Sequence, residues 1–180
     1  VQVALSRLEE AQMGVAQVKA PELPKNRRVF RKLTQSQRNS VLTSDTIGPV
    51  DPTVSVIYFE SLTGKPLACY TNYALHPATV GNSLITADYP YFIHEILRSV
   101  WGYELISIFT NGFSGDINNK LRLGLKSRLE ISKRIGTLLA GKVFQANALM
   151  NYSKNIKIFS AVKRVPINLL KVSDEEIAWA

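Results

Sequence analysis

Pro66-Leu67-Ala68-Cys69-Tyr70-Thr71-Asn72-Tyr73 runs into Ala74-Leu75-His76-Pro77, with Gly81 in the loop beyond. The first eight of these residues are nearly all apolar, which predicts a strand inside a sheet, covered on both faces. Leu62-Thr63-Gly64-Lys65 is hairpin-type turn chemistry. Before it, Val54, Val56 and Tyr58 alternate with Ser55, Ile57 and Phe59, a second strand, and the short turn makes the pair antiparallel. Gly48-Pro49-Val50-Asp51-Pro52 is the turn that precedes it. His76 then sits where a buried strand ends. A histidine so placed suits a metal ligand or an acid/base, and equally a loop residue hydrogen-bonded for structure.

Downstream, Pro90 fits the first turn of a helix capped by Asp88. Phe92, Ile93, Ile96, Leu97 and Val100 form its buried face, His94 falls on its surface, and Gly102 closes it. Leu105 to Phe109 reads as a third strand. It runs into Asn111-Gly112-Phe113-Ser114-Gly115-Asp116-Ile117-Asn118-Asn119, a glycine-rich turn at the sheet edge where α/β proteins often bind ligands. Gly112 and Gly115 permit positive φ or close backbone approach there. Ser114 is not a nucleophile elbow, because the second residue after it is Asp116 rather than glycine. The loop also lacks the Lys-Ser/Thr ending of a phosphate-binding loop.

The remaining segments set the frame. Ala4, Leu8, Ala11, Val15 and Val18 recur at three- and four-residue spacing, which predicts a helix ended by Pro21 and Pro24. Asn26-Arg27-Arg28 opens a polar loop reaching Ser44; guanidinium groups there suit a carboxylate, phosphate or carbonyl, or simply solvent. From Ser127, Ile131, Ile135, Leu138, Leu139, Val143, Ala146 and Leu149 make a long amphipathic helix, with Lys126, Arg128, Lys133, Arg134 and Lys142 on its other side. Ile156 to Val162 alternates as a strand, and Ser173 with Glu176 forms a capping box. The whole reads as an α/β fold with a mixed β-sheet flanked by helices.

Lys and Arg number 22 against 14 acids, a formal charge of +8 over 180 residues. That would permit an anionic membrane surface as partner. The basic residues are spread over Lys25 to Lys32, Lys120 to Arg134 and Lys154 to Arg164 without an aromatic-interleaved motif, which argues against nucleic acid. Cys69 is the only cysteine, so no intrachain disulfide forms, and its apolar setting predicts a buried, inert thiol. No uninterrupted apolar run is long enough to cross a bilayer. The chain starts at Val1, and both ends read as cut through a larger domain.

Five motifs arrive in order: Asn26-Arg27-Arg28, Gly48-Pro49-x-Asp51-Pro52, Asn72-Tyr73-Ala74-x-His76-Pro77, Ala87-Asp88-Tyr89-Pro90 and Asn111-Gly112-x-x-Gly115-Asp116-Ile117-Asn118. Together they resemble the neutral/alkaline, non-lysosomal ceramidase family, especially its bacterial members, over nearly the whole chain to about Asn151. The resemblance implies that residues 1–180 are an internal, incomplete portion of a ceramidase-like N-terminal catalytic domain at least twice this length. It implies a secreted, periplasmic or cell-envelope zinc amidase of lipid metabolism. Such an enzyme hydrolyses the C–N bond of an N-acyl sphingosine, a ceramide-like lipid or a related N-acyl small molecule by metal-activated water.

In that family two histidines, a glutamate and a tyrosine hold the zinc. His76 matches one of them; the others are expected outside this chain, in the remainder of its domain. Arg27 inherits a place lining the site, and with Gly112 and Asn118 it would contact substrate. Asp116 and Asp88 would orient the groups beside the metal without touching it. One departure stands out: the family's Gly-Asp-x-Ser-Pro is Gly115-Asp116-Ile117-Asn118-Asn119 here, so the active-site serine falls on Asn118. An amide cannot be a nucleophile, though it can orient substrate or donate to an oxyanion. The 180-residue chain, with one ligand of four, is expected not to turn over substrate by itself. The alternative is a catalytically inactive ceramidase-like binding or scaffolding domain.

Overall fold

A computed structural model describes residues 2–27, 48–81, 84–121, 127–168 and 172–179. Arg28, the polar stretch from it to Ser44, Lys126 and the Glu176 side chain lie outside the described residues. The elements in order are α1 (Gln2–Leu5), β1 (Ala11–Lys19), β2 (Pro24–Asn26), β3 (Thr53–Ser61), β4 (Pro66–Tyr73), α2 (Tyr89–Trp101), β5 (Ile106–Asn111), β6 (Ile117–Asn119), α3 (Arg128–Asn147), β7 (Tyr152–Ser153) and α4 (Asp174–Trp179).

Five strands form one mixed sheet in the order β5-β4-β3-β1-β7, and β2 pairs with β6 in a small second one. The β3–β4 hairpin is antiparallel, turning through Gly64 at φ 83°. β4 and β5 are parallel, joined by α2 as the crossover that parallel neighbours need.

The N-terminal helix expected from the Ala4 to Val18 spacing does not form beyond α1. Its second half is β1, which pairs residue for residue with β3 from Ala11↔Ser61 to Lys19↔Thr53. Gly14, Ala16 and Val18 turn toward the helices while Val15 and Gln17 face outward, a period of two that overlays the three-and-four spacing. Gly14 decides between the two readings. Glycine costs about 1 kcal/mol inside a helix, whereas here a Cβ would come within 2.9 Å of the Met150 sulfur and 3.0 Å of the Tyr152 ring. Backbone pairing with β3 and close packing outweigh a weak helical propensity.

One face of the sheet builds the core. Val54, Val56 and Tyr58 of β3 and Cys69 and Tyr73 of β4 are buried against Ile93 and Leu97 of α2 and Ile135, Leu139 and Val143 of α3. The two helices cross closely: a Cβ on Gly136 would sit 2.5 Å from the Phe92 Cβ and 2.8 Å from the Tyr89 carbonyl. Asp88 caps α2 by accepting from Tyr89 N, Pro90 lies in its first turn, and the Gly102 N–H closes it on Arg98 O. Ser127 caps α3 through Glu130 N.

Three expectations are corrected. The opposite face of β4 is only half-buried at Ala68, Tyr70 and Asn72, because among the described residues no layer covers it. Val100 is 62% exposed in the last turn of α2, where the core stripe of Ile93 and Leu97 does not continue. Residues 155–168 have no regular secondary structure and are exposed, so the strand expected from Ile156 to Val162 is absent; among the described residues no strand pairs with it, and only the two-residue β7 before it joins the sheet.

Candidate functional site

The parallel pairing of β4 and β5 sets Tyr73 opposite Asn111, so both strands end on the same edge. Their following loops carry His76 and Ser114 and meet there. His76 N donates to Ile117 O at 3.4 Å, and His76 Nδ1 lies 3.1 Å from Ser114 Oγ. Ser114 is 5% exposed and His76 half-buried.

Asn72, Tyr73, Ala74 and Leu75 each have a distinct task in placing His76. Asn72 Nδ2 donates to Thr110 Oγ1 (2.9 Å) and Thr110 O (3.2 Å), binding the two parallel strands side chain to strand. The Tyr73 hydroxyl donates to Ala20 O at 2.8 Å, and burial pushes its pKa well above the ordinary phenol value. The Leu75 carbonyl accepts from the Tyr89 hydroxyl at 2.5 Å, fixing the chain direction just before His76. Gly112 donates N–H to Tyr73 O at 3.0 Å, and a Cβ there would lie 3.1–3.2 Å from Ala74. Close approach is therefore what Gly112 supplies; neither it nor Gly115 has positive φ, and nothing crowds Gly115.

Three motifs distant in sequence knot together at Asn26. Its Nδ2 donates to Pro49 O (3.1 Å) and Asp116 Oδ2 (3.0 Å). A Cβ on Gly48 would fall 2.4 Å from the Asn26 amide carbon, so the Gly48-Pro49 turn must pass beneath that side chain without one. Arg27 N donates to Asp116 O (2.7 Å), and its guanidinium donates to Gly115 O (3.0 Å). A guanidinium has five N–H groups, so further donors remain on the fork for a carbonyl or an anion. The β2–β6 ladder that produces this contact consists of two three-residue strands.

Asn118 lies in β6, opposite Lys25, next to the Ile117 whose carbonyl receives His76 N. Ile117 points into the core, so the alternation of the strand turns the half-buried Asn118 the other way. Asp88 stands at one remove. Its carboxylate accepts from Thr79 N (2.7 Å), Val80 N (2.8 Å), Tyr89 N (2.7 Å) and Ser132 Oγ (3.0 Å), so it ties the far end of the His76 loop to the starts of both helices. Its backbone, at φ 55° and ψ −151°, lies in a region that glycine favours. His94 is half-buried, within 3.1 Å of Arg98, and lines an open cleft of about 290 Å³ with Ala87, Pro90, Tyr91, Ser107 and Phe109, apart from the His76 cluster.

Sequence reasoning thus missed Asn26 and Ser114 as working parts. Ser114 was discarded as a nucleophile, and its service to an imidazole 38 residues away left no local signature. A serine touching a histidine is also the geometry of a nucleophile and its base. Here the serine is enclosed, and it has a second hydrogen-bond partner in the Asn111 amide at 2.8 Å, which suits holding the ring rather than attacking a substrate.

No family model and no curated protein matches this sequence. Solved structures do. A neutral ceramidase from Pseudomonas aeruginosa superposes with TM-score 0.65 at 16% identity, covering 82% of this chain and 24% of that one. A structure described as ceramidase complexed with C2 gives TM-score 0.66 at 15% identity, with 83% and 24% covered. The chain shares the fold of neutral ceramidase. It is a ceramidase-like α/β fold, spanning about a quarter of the length of the ceramidase chains it matches.

Among the described residues no three His, Cys, Asp or Glu side chains gather as a metal cage, and no helix is long and apolar enough to cross a membrane. His76 fits a zinc ligand on its own chemistry. Its Nδ1 is engaged by an oxygen, the arrangement that holds a metal-binding ring in place and leaves Nε2 for the ion.

Proposed function

We propose that residues 1–180 are a portion of the catalytic domain of a zinc-dependent hydrolase that cleaves amide C–N bonds in N-acyl substrates of the ceramide type. The observation carrying this reading is the His76 ring held on Ser114 in the loop after β5, with Arg27 bound to Gly115 O and Asp116 O of the same loop, on a fold like that of part of neutral ceramidase. His76 would be one zinc ligand, with the remaining ligands supplied from outside this chain. When bound, zinc would activate water and polarise the acyl carbonyl.

The chain's own residues prepare that site. The Arg27 fork orients the acyl oxygen, and Asn118 offers an amide donor where ceramidases carry a serine. Asp116 accepts from Asn26, the last residue of β2, and so steadies the backbone that leads into Arg27. Asp88 fixes the exit of the His76 loop. Substrate is a small-molecule or lipid N-acyl compound met at a membrane surface by a secreted or cell-envelope enzyme.

A hydrolysis assay on N-acyl sphingosines and simpler N-acyl amides, run on the protein from its complete reading frame, tests the proposal. Chelator-sensitive release of the fatty acid is expected, falling about 100-fold in Arg27→Ala. The presence of asparagine at 118 supports the second reading, a non-catalytic binding domain. Tight N-acyl lipid binding without turnover would establish that reading instead.

A further inference from the structure

The hydrogen-bond chain behind His76 has a direction. Asn111 lies at the end of β5, and its side-chain amide can be placed in two orientations that swap oxygen and nitrogen. In one, Nδ2 donates to Ser114 Oγ (2.8 Å), and Oδ1 faces backbone carbonyls with only a 3.3 Å bond from Leu75 N. In the other, Nδ2 donates to Leu75 O (2.8 Å) and Tyr73 O (3.1 Å), and Oδ1 accepts from Ser114 Oγ (2.8 Å). The second orientation gives both Nδ2 hydrogens a carbonyl acceptor, leaves the Leu75 N–H to Tyr73 O (3.2 Å), and is the one the surroundings select.

This choice propagates to the ring. With Asn111 Oδ1 facing it, the Ser114 hydroxyl hydrogen is committed to Asn111. The Ser114 oxygen can then only accept from His76, so Nδ1 must carry the hydrogen and Nε2 the lone pair. Reversing the amide would reverse the relay: Ser114 would donate to Nδ1, and Nε2–H would be left facing the site. The two carbonyls that orient Asn111 belong to Tyr73 and Leu75, the residues leading to His76 itself. The loop therefore sets the tautomer of its own histidine through the neighbouring strand.

We propose that Asn111 and Ser114 are positioning residues that hold His76 as the Nδ1–H tautomer, presenting a bare Nε2 to a divalent metal. The metal clause rests on the reading above; the tautomer does not, and can be measured in metal-free protein. Long-range ¹H–¹⁵N correlation spectra of the full chain, at a pH where the ring is neutral and with signals assigned by their loss in His76→Gln, identify which nitrogen carries hydrogen. The expected result is Nδ1–H in the native protein, with a shift of population toward Nε2–H in Ser114→Ala. Ser114→Thr, which keeps the hydroxyl, retains the native pattern. Zinc affinity of the protein from its complete reading frame is expected to fall about 10- to 100-fold in Ser114→Ala. Nε2–H in the native protein overturns the proposal, as does a tautomer unmoved by Ser114→Ala. Nδ1–H that depends on Ser114, in a protein whose zinc content ignores His76, upholds the relay and sinks the zinc reading instead.

Discussion

Asp88 combines burial, four accepted hydrogen bonds and a strained backbone in one residue. It is 3% exposed, accepts four hydrogen bonds and holds a backbone conformation suited to glycine. Asp88→Ala leaves the Thr79 and Val80 N–H groups without their partner and keeps the strain, so a loss of about 3–4 kcal/mol is expected. Asp88→Gly loses the same bonds but relaxes the backbone, and should be about 1 kcal/mol more stable than the alanine variant. Urea denaturation of the pair checks this; equal midpoints would mean that φ 55° carries no strain. Cys69 makes a pH prediction. Burial raises its thiol to about 11 from 9.0. A raised pKa in the folded state stabilises the fold below the unfolded value and loses that contribution as pH climbs from about 9 to 11. Cys69→Ala should flatten the stability profile in that window by about 2 kcal/mol. Buried Tyr73 and Tyr89, shifted in the same direction, keep part of the slope.

Elements were legible where period and punctuation agreed. The β3–β4 hairpin, α2 with its Asp88 and Gly102 boundaries, β5 and α3 all lie where apolar spacing and turn residues put them. β1 was not, because Ala11, Val15 and Val18 fit a helical face while Gly14, Ala16 and Val18 fit a strand, and the pairing with β3 and the close packing at Gly14 favour the strand. β2 and β6 are too short for any period to register, although Arg27 directly follows β2 and Asn118 lies in β6. Helix packing supplies a further test. Gly136→Ala should gain about 1 kcal/mol of helix propensity. Its methyl group would nevertheless press on Phe92 and the Tyr89 carbonyl. Overpacking of this kind typically costs 1–3 kcal/mol. A net loss in thermal stability is expected; a gain would show that the α2–α3 crossing has room.

At the scale of the molecule, the sheet is covered on one face only among the described residues. Val15, Ile57, Tyr70 and Ile108 form a row across four strands on the other face, with Val15 54% and Ile108 47% exposed. The 180-residue chain should therefore bind the hydrophobic dye ANS, and Ile106→Glu with Ile108→Glu should reduce that signal at unchanged secondary structure. The order of five motifs made the ceramidase fold readable. Their convergence was not, since Asn26, Gly48 and Asp116 meet only after β2 pairs with β6. His76 is proposed as a zinc ligand. Metal analysis of the protein purified from its complete reading frame, beside its His76→Ala variant, tests it most directly. One zinc per chain in the native protein and its loss in the variant are predicted; zinc content unchanged by His76→Ala would contradict the account.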